Sequence, residues 1–151
     1  MDTYQFSFEK LEVWQLSRKL SVSIYKRTQL FPPEEKYSLT SQTRRSALSV
    51  SANIAEGTTR VSAKDQSHFT TIAFSSLMEL FNHLIIASDL GYFSEDELNN
   101  YRQQIQPLSV KLSNLKASQI KRIGKRGLLW LMLFASHIYQ PLQPLNDIQP
   151  F

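Results

Sequence analysis

Glu79 and His83 stand four residues apart, a spacing that puts both on one face of a helix and lets them share a metal ion. A di-metal site in a helical bundle asks for more: Glu-x-x-His on each of two helices, with further carboxylates. His68 and His137 complete no such repeat, so a surface or pairing role is expected for Glu79 and His83, with no metal and no other cofactor. The chain has no cysteine, which excludes thiolate zinc sites, thiol nucleophiles and disulfides together. It has neither a glycine-rich phosphate loop nor Gly-x-Ser-x-Gly, and its serines have no base at a diagnostic spacing. The reading is of a protein that is not an enzyme and has no catalytic residue.

The remaining chemistry is electrostatic. The net charge of +4 hints at an anionic partner. Lys121, Arg122, Lys125 and Arg126 place four positive charges within six residues, while residues 1–120 hold 13 Lys and Arg against 12 Asp and Glu. The body is thus nearly neutral, and binding RNA or DNA requires its charges to be segregated onto one face. Arg44, Arg60 and Lys64, with the cluster from Lys121 to Arg126, are the candidate phosphate contacts.

Long glycine-free stretches with three- and four-residue apolar spacing predict four helices. The first spans about Glu9 to Leu30, with Val13, Leu16, Leu20 and Ile24 on one face, and Phe31-Pro32-Pro33 stops it. Pro33 suits the first turn of the second helix, with Glu34 and Glu35 at the positive end of its dipole; that helix runs to about Glu56, with Gly57 as C-cap. Ser62 and Asp65 cap the third, which ends near Leu90 and Gly91. Ser94 and Glu97 form a capping box for the fourth, where Leu98, Tyr101, Ile105, Leu108, Leu112 and Leu115 make a narrow seam. Pro107 inside that seam predicts a kink, at about 3 kcal/mol unless packing accommodates it. Short links predict antiparallel neighbours, so residues 1–120 read as an all-α, up-down four-helix bundle.

Helix three carries two apolar stripes. Phe69, Ala73, Leu77, Leu80, Leu84 and Ala87 form one, and Phe74, Met78, Phe81 and Ile85 form the other. The second either touches a neighbouring helix or is covered by another copy of the chain; the apolar area favours a homo-oligomer. On helix two, Leu39, Thr43, Ala47, Val50 and Ile54 make a core stripe, beside a line of Gln42, Arg45, Ser49, Asn53 and Glu56. That line fits a solvated face; the sharper reading is a partly buried polar network with Arg45 paired to Glu79. Small residues such as Ser46, Ala47 and Ser49 allow close helix approach.

Residues 121–151 read as a basic, then apolar C-terminal tail, either a short helix or partly disordered. Its apolar run from Leu128 to Tyr139 is shorter than the about 20 residues that span a bilayer, and packing is favoured over membrane contact. Residues 1–10 lack a basic stretch followed by an apolar run, so no signal peptide is read and the expected compartment is the cytoplasm.

Helix two also carries a family likeness. Gln42-Thr43-Arg44-Arg45-Ser46-Ala47, then Ser49 through Gly57, and Arg60 resemble the signature of four-helix-bundle proteins encoded within 23S rRNA intervening sequences. Leu11 to Gln15, Phe31-Pro32, Glu35, Tyr37, Ser76 to Leu80 and Leu90-Gly91-Tyr92 support it, over about residues 8–120. Ser75 stands where the family usually has glycine, and Pro107 and the tail have no counterpart. The resemblance implies an antiparallel bundle in a ring-like homo-oligomer, often a pentamer. The chain is also similar to the accessory protein of diversity-generating retroelements, which implies a basic pentamer that binds nucleic acid and a reverse transcriptase. Two functions follow: a non-catalytic oligomer holding RNA or DNA through phosphates, or a scaffold recruiting a partner protein without nucleic-acid contact.

Overall fold

A computed structural model describes residues 4–138, with side chains described as far as residue 124. Four α-helices and no strand occur among the described residues: α1 (Glu12–Arg27), α2 (Leu39–Thr58), α3 (Ala63–Asp89) and α4 (Glu95–Ile138). They form an all-α bundle. The α2–α3 and α3–α4 packings are the most extensive, α1 lies on α2, and of the neighbouring helices α1 and α4 touch least. Short turns join α2 to α3 and α3 to α4, a longer connection over residues 28–38 joins α1 to α2, and neighbours run antiparallel.

The apolar spacing explains the core. Val13, Leu20 and Ile24 of α1 meet Ala47, Val50 and Ile54 of α2, the α3 stripe from Ala73 to Ala87, and Leu98, Tyr101, Ile105, Leu108 and Leu112 of α4. All are buried, while Leu16, Leu39, Phe69 and Leu115 are half-buried. By composition α3 is long and apolar enough to cross a membrane, with a mean hydropathy of 1.3 over its most apolar window; in this fold it supplies the inner wall of the bundle.

Small residues carry hydrogen bonds between the helices. The Ser21 hydroxyl reaches across from α1 to the Ala47 carbonyl of α2 at 2.9 Å. Ser49 and Ser76 hydroxyls meet at 2.9 Å between α2 and α3. The α1–α4 seam is instead bridged by longer polar side chains: Glu12 with Lys111 at 2.8 Å, Ser23 with Tyr101 at 3.3 Å, and Arg27 with Glu97 at 2.8 Å.

Several boundaries differ from the sequence expectation. Ser7–Lys10 is a 3-10 turn rather than the start of α1, and Thr28–Leu30 is a second one. Pro33–Tyr37 is a third, so α2 begins six residues later than Pro33 suggests. Glu35 does not sit in the first turn of α2; its carboxylate accepts the Leu39 N–H at 3.1 Å and caps the helix from outside. Gly57 is no C-cap. It lies buried within α2, where an added Cβ would come 3.2 Å from Phe69 Cβ, so its value is close approach rather than a left-handed turn. Gly91 does fill that role, with φ 76. The caps hold as expected: Ser62 Oγ accepts from Asp65 N at 3.0 Å, and Ser94 and Glu97 form a reciprocal box.

α4 continues through Pro107 and past Ile120 to Ile138, so the tail expected to begin at Lys121 starts as more of the same helix. Pro107 removes the N–H that the Gln103 carbonyl would accept. Both residues are exposed, which puts this interruption on the solvent side of α4. The apolar run from Leu128 lies outside the described side chains.

Candidate functional site

The bundle end formed by the α2–α3 turn, the start of α1 and the middle of α4 gathers most of the candidate phosphate contacts. Gln66, in the second turn of α3, ties them. Its side-chain nitrogen donates to the Arg60 carbonyl at 2.7 Å, and its oxygen accepts from Arg122 Nη2 at 2.9 Å. Lys64 sits two residues before it in the first turn of α3, and Lys121 adjoins Arg122; all of these cationic side chains are exposed. The helix lengths explain the meeting: α4 antiparallel to α3 brings residues near 120 opposite α3's first turn.

The charges at this end are unequal. Arg60 pairs with Glu56 one turn back and lies over the Phe69 ring, 4.6 Å from its centre. Asp65 is occupied with the Ser62 cap. Lys64, Lys121 and Arg122 pair with no carboxylate among the described residues. Lys125 and Arg126 lie outside the described side chains.

Arg44 does not join this group. It is half-buried near the start of α2, about 21 Å along the helix from Thr58 at 1.5 Å per residue. Its Nε donates to Thr28 Oγ1 at 2.7 Å, and its guanidinium lies 4.9 Å over the Tyr25 ring. Thr28 was not singled out from the sequence. No spacing rule links a residue just past α1 to one in α2.

The polar line on α2 resolves into separate local contacts rather than one network. Arg45 bonds to Gln42 at 3.0 Å and pairs with Glu79 at 3.1 Å, the pairing anticipated, but with 70% and 41% of the two side chains exposed. Asn53 turns back to the Ser49 carbonyl at 2.8 Å, and Glu56 serves Arg60. His83 Nδ1 faces the Ser46 hydroxyl at 3.5 Å. Among the described residues no three His, Asp or Glu side chains gather where an ion could sit.

On α3, Met78 is 38% exposed, while Phe74, Phe81 and Ile85 are half-buried and lean on the core. The second stripe therefore serves the bundle with three members and presents the fourth to solvent. Ser75, next to Phe74, is exposed.

At the opposite bundle end, a lock absent from the candidate residues joins the two loops. Arg27 donates to Glu97 at 2.8 Å and to the Tyr92 carbonyl at 2.7 Å, and its guanidinium lies over Phe93. Phe31 packs on the Tyr92 and Phe93 rings. The bond from Arg27, with the Ser94 N–H, holds the Glu97 carboxyl below the usual carboxylate range. Ser38, the Leu39 N–H and Tyr92 do the same for Glu35, and the facing Glu35 carboxylate raises the Tyr92 phenol. The cue available in sequence was the clustering of Phe31, Glu35 and Tyr92 among the motif residues.

The family model described as 23S rRNA-intervening sequence protein matches residues 9–114. The fold is similar to a crystal structure of a protein with unknown function from the S23 ribosomal protein family of Bacteroides thetaiotaomicron. The two are 24% identical, with 72% of this chain and 95% of that one covered and a TM-score of 0.59, a likeness of fold. None of the curated proteins compared with the chain matches it. The matched span runs from the turn before α1 into α4 and contains the α2 string from Gln42 to Gly57, so the chain belongs to the 23S rRNA-intervening sequence protein family.

Proposed function

We propose that this protein is a non-catalytic RNA-binding bundle that works as a homo-oligomer in the cytoplasm, holding phosphates at the end where α2, α3 and α4 converge. One observation carries the reading: Gln66 links the Arg60 turn to Arg122, which brings the helix turns carrying Lys64 and Lys121 to the same bundle end, and none of Lys64, Lys121 and Arg122 pairs with a carboxylate among the described residues. Three cations at one end of a nearly neutral body offer a local patch of the kind that phosphate contacts use. The family name supports ribosomal RNA as the first nucleic acid to try. Affinity for a ribosomal RNA fragment is expected to fall steeply with salt. Equal affinity at low and high salt, or no binding at either, rejects the proposal.

Self-association is proposed through Met78 and the outer edges of Phe74, Phe81 and Ile85, since α3 offers more apolar side chain than the core encloses. The resemblance to pentameric bundles supports the same reading. A solution mass equal to one chain at all concentrations rejects it.

A further inference from the structure

A cavity of about 240 Å³ opens at the same bundle end, beside the clustered cations. Leu11, Ile54 and Leu115 supply apolar walls, and Thr70, Gln119 and Arg122 supply the polar groups. This is smaller than the roughly 300–1,000 Å³ of pockets that enclose drug-sized ligands. It suits a single planar ring and excludes a whole nucleotide.

Gln119 is the informative residue. It is 94% buried by its 6% exposure, yet it is a polar side chain on the core face of α4. One end of its amide meets Thr70 Oγ1 at 2.9 Å. Thr70 has one hydroxyl proton, for which the Gln66 carbonyl competes at 3.0 Å. Whichever way the amide is turned, it keeps one contact at Thr70 and presents its other polar atom to no described residue. That atom opens to the cavity rather than being sealed in, since Thr40 Oγ1 is the one buried side-chain polar atom without a partner among the described residues, so a ligand can bond to it in water's place. Gly57 also lines the cavity, and the close approach of α2 to Phe69 leaves the space on that wall without a side chain.

A nucleobase has the matching features: flat apolar faces for Leu11, Ile54 and Leu115, and an edge of hydrogen-bonding groups for the Gln119 amide. Arg122 lines the cavity and is itself a candidate phosphate contact, so a base inside would keep its own phosphate at the cationic end of the bundle. We infer that the cavity takes one unpaired, extrahelical base of a bound RNA, adding base capture to phosphate contact. The inference rests on the RNA-binding reading above.

The test compares a short RNA duplex carrying one bulged uridine with the same duplex carrying an abasic bulge, which has the same phosphates. The bulged uridine is expected to bind about tenfold tighter, at the lower part of the range for base contacts. Gln119→Leu is expected to abolish that difference while leaving affinity for the abasic duplex unchanged; a preference retained in Gln119→Leu overturns the inference. A measurement on the unaltered protein stands beside it: 2-aminopurine in the bulge should be shielded from acrylamide quenching when bound. Equal binding of both duplexes with an unshielded base overturns base capture and leaves phosphate contact standing. Binding of neither duplex overturns the RNA-binding reading and the inference with it.

Discussion

Tyr92 donates its phenolic hydrogen to Glu35 across 2.9 Å, joining the α3–α4 turn to the connection between α1 and α2. The same carboxylate accepts the Leu39 N–H, so one side chain starts α2 and fastens the opposite loop. Arg27 and Glu97 complete the closure a few residues away.

Stability should therefore fall in acid. Glu35 and Glu97 are both held below the usual carboxylate range by hydrogen bonds made only in the folded chain. Their contribution is present above the unfolded value, about pH 4.3, and is lost as pH drops through the lower folded values. Tyr92 has the opposite sign: its contribution holds below about pH 10 and is lost as pH rises through its raised folded value. Thermal melts across pH should show both edges; Tyr92→Phe with Glu97→Gln should remove the alkaline edge and reduce the acid one, the Ser38 and Leu39 bonds to Glu35 remaining. An unaltered acid edge in that double variant would rule the lock out as its source.

Gly57→Val is expected to destabilise the fold by about 2 kcal/mol, since even one carbon there meets Phe69 Cβ at 3.2 Å. Gly57→Ala should cost less, because alanine favours the helix over glycine by about 1 kcal/mol and offsets part of the crowding. Urea denaturation that finds the valine variant as stable as the parent would show that the helices separate freely here.

Arg44→Ala should weaken the fold by about 1 kcal/mol, through loss of the Thr28 bond and the Tyr25 contact, and leave RNA affinity unchanged. Lys64→Glu with Lys121→Glu should do the reverse: the salt dependence of binding becomes shallower while the melting temperature holds. Filter binding over a salt series separates the two. A large affinity loss in Arg44→Ala would put phosphate contact at the wrong end of α2.

Met78→Glu is the cleaner probe of self-association than changes at Phe74 or Phe81. Those two rings lean on the core, so charging them disturbs the fold itself. Met78 is exposed, and its replacement should yield single chains of unchanged helicity by sedimentation. Assemblies that persist in Met78→Glu would place the contact elsewhere.

The four helices could be read in advance because each core stripe repeats at helical spacing, and Ile24, Val50, Leu77 and Leu108 all lie inside as that spacing requires. The caps at Ser62 and Ser94 were legible for the same reason: they are local. What escaped was non-local or decided by competing local forces. Proline at 33 favours a helical first turn, but Ser38 leaves the helical region at φ −112, ψ −109 and delays α2 to Leu39. Gly57 looked like a terminator, and only the proximity of Phe69, twelve residues on, explains it. Arg44 and Arg60 were alike as charges; Thr28 and Glu56 make them different as partners. Gln66 and Gln119 carried no signal, since one unremarkable glutamine resembles another until the helices are assembled.

The uneven packing around the bundle sets the order in which it should come apart. α1 faces α4 across a seam held by the Glu12–Lys111 and Arg27–Glu97 ion pairs and a hydroxyl contact, whereas serine and alanine seat α2 deep against both neighbours. The Glu12–Lys111 pair is open to water and resists separation weakly, which leaves Arg27–Glu97 to hold one end of the seam. Partial opening should begin along this seam, with α1 and α4 parting while α2 and α3 stay joined. Amide exchange would then be fastest along the flanks of α1 and slowest through the middle of α3.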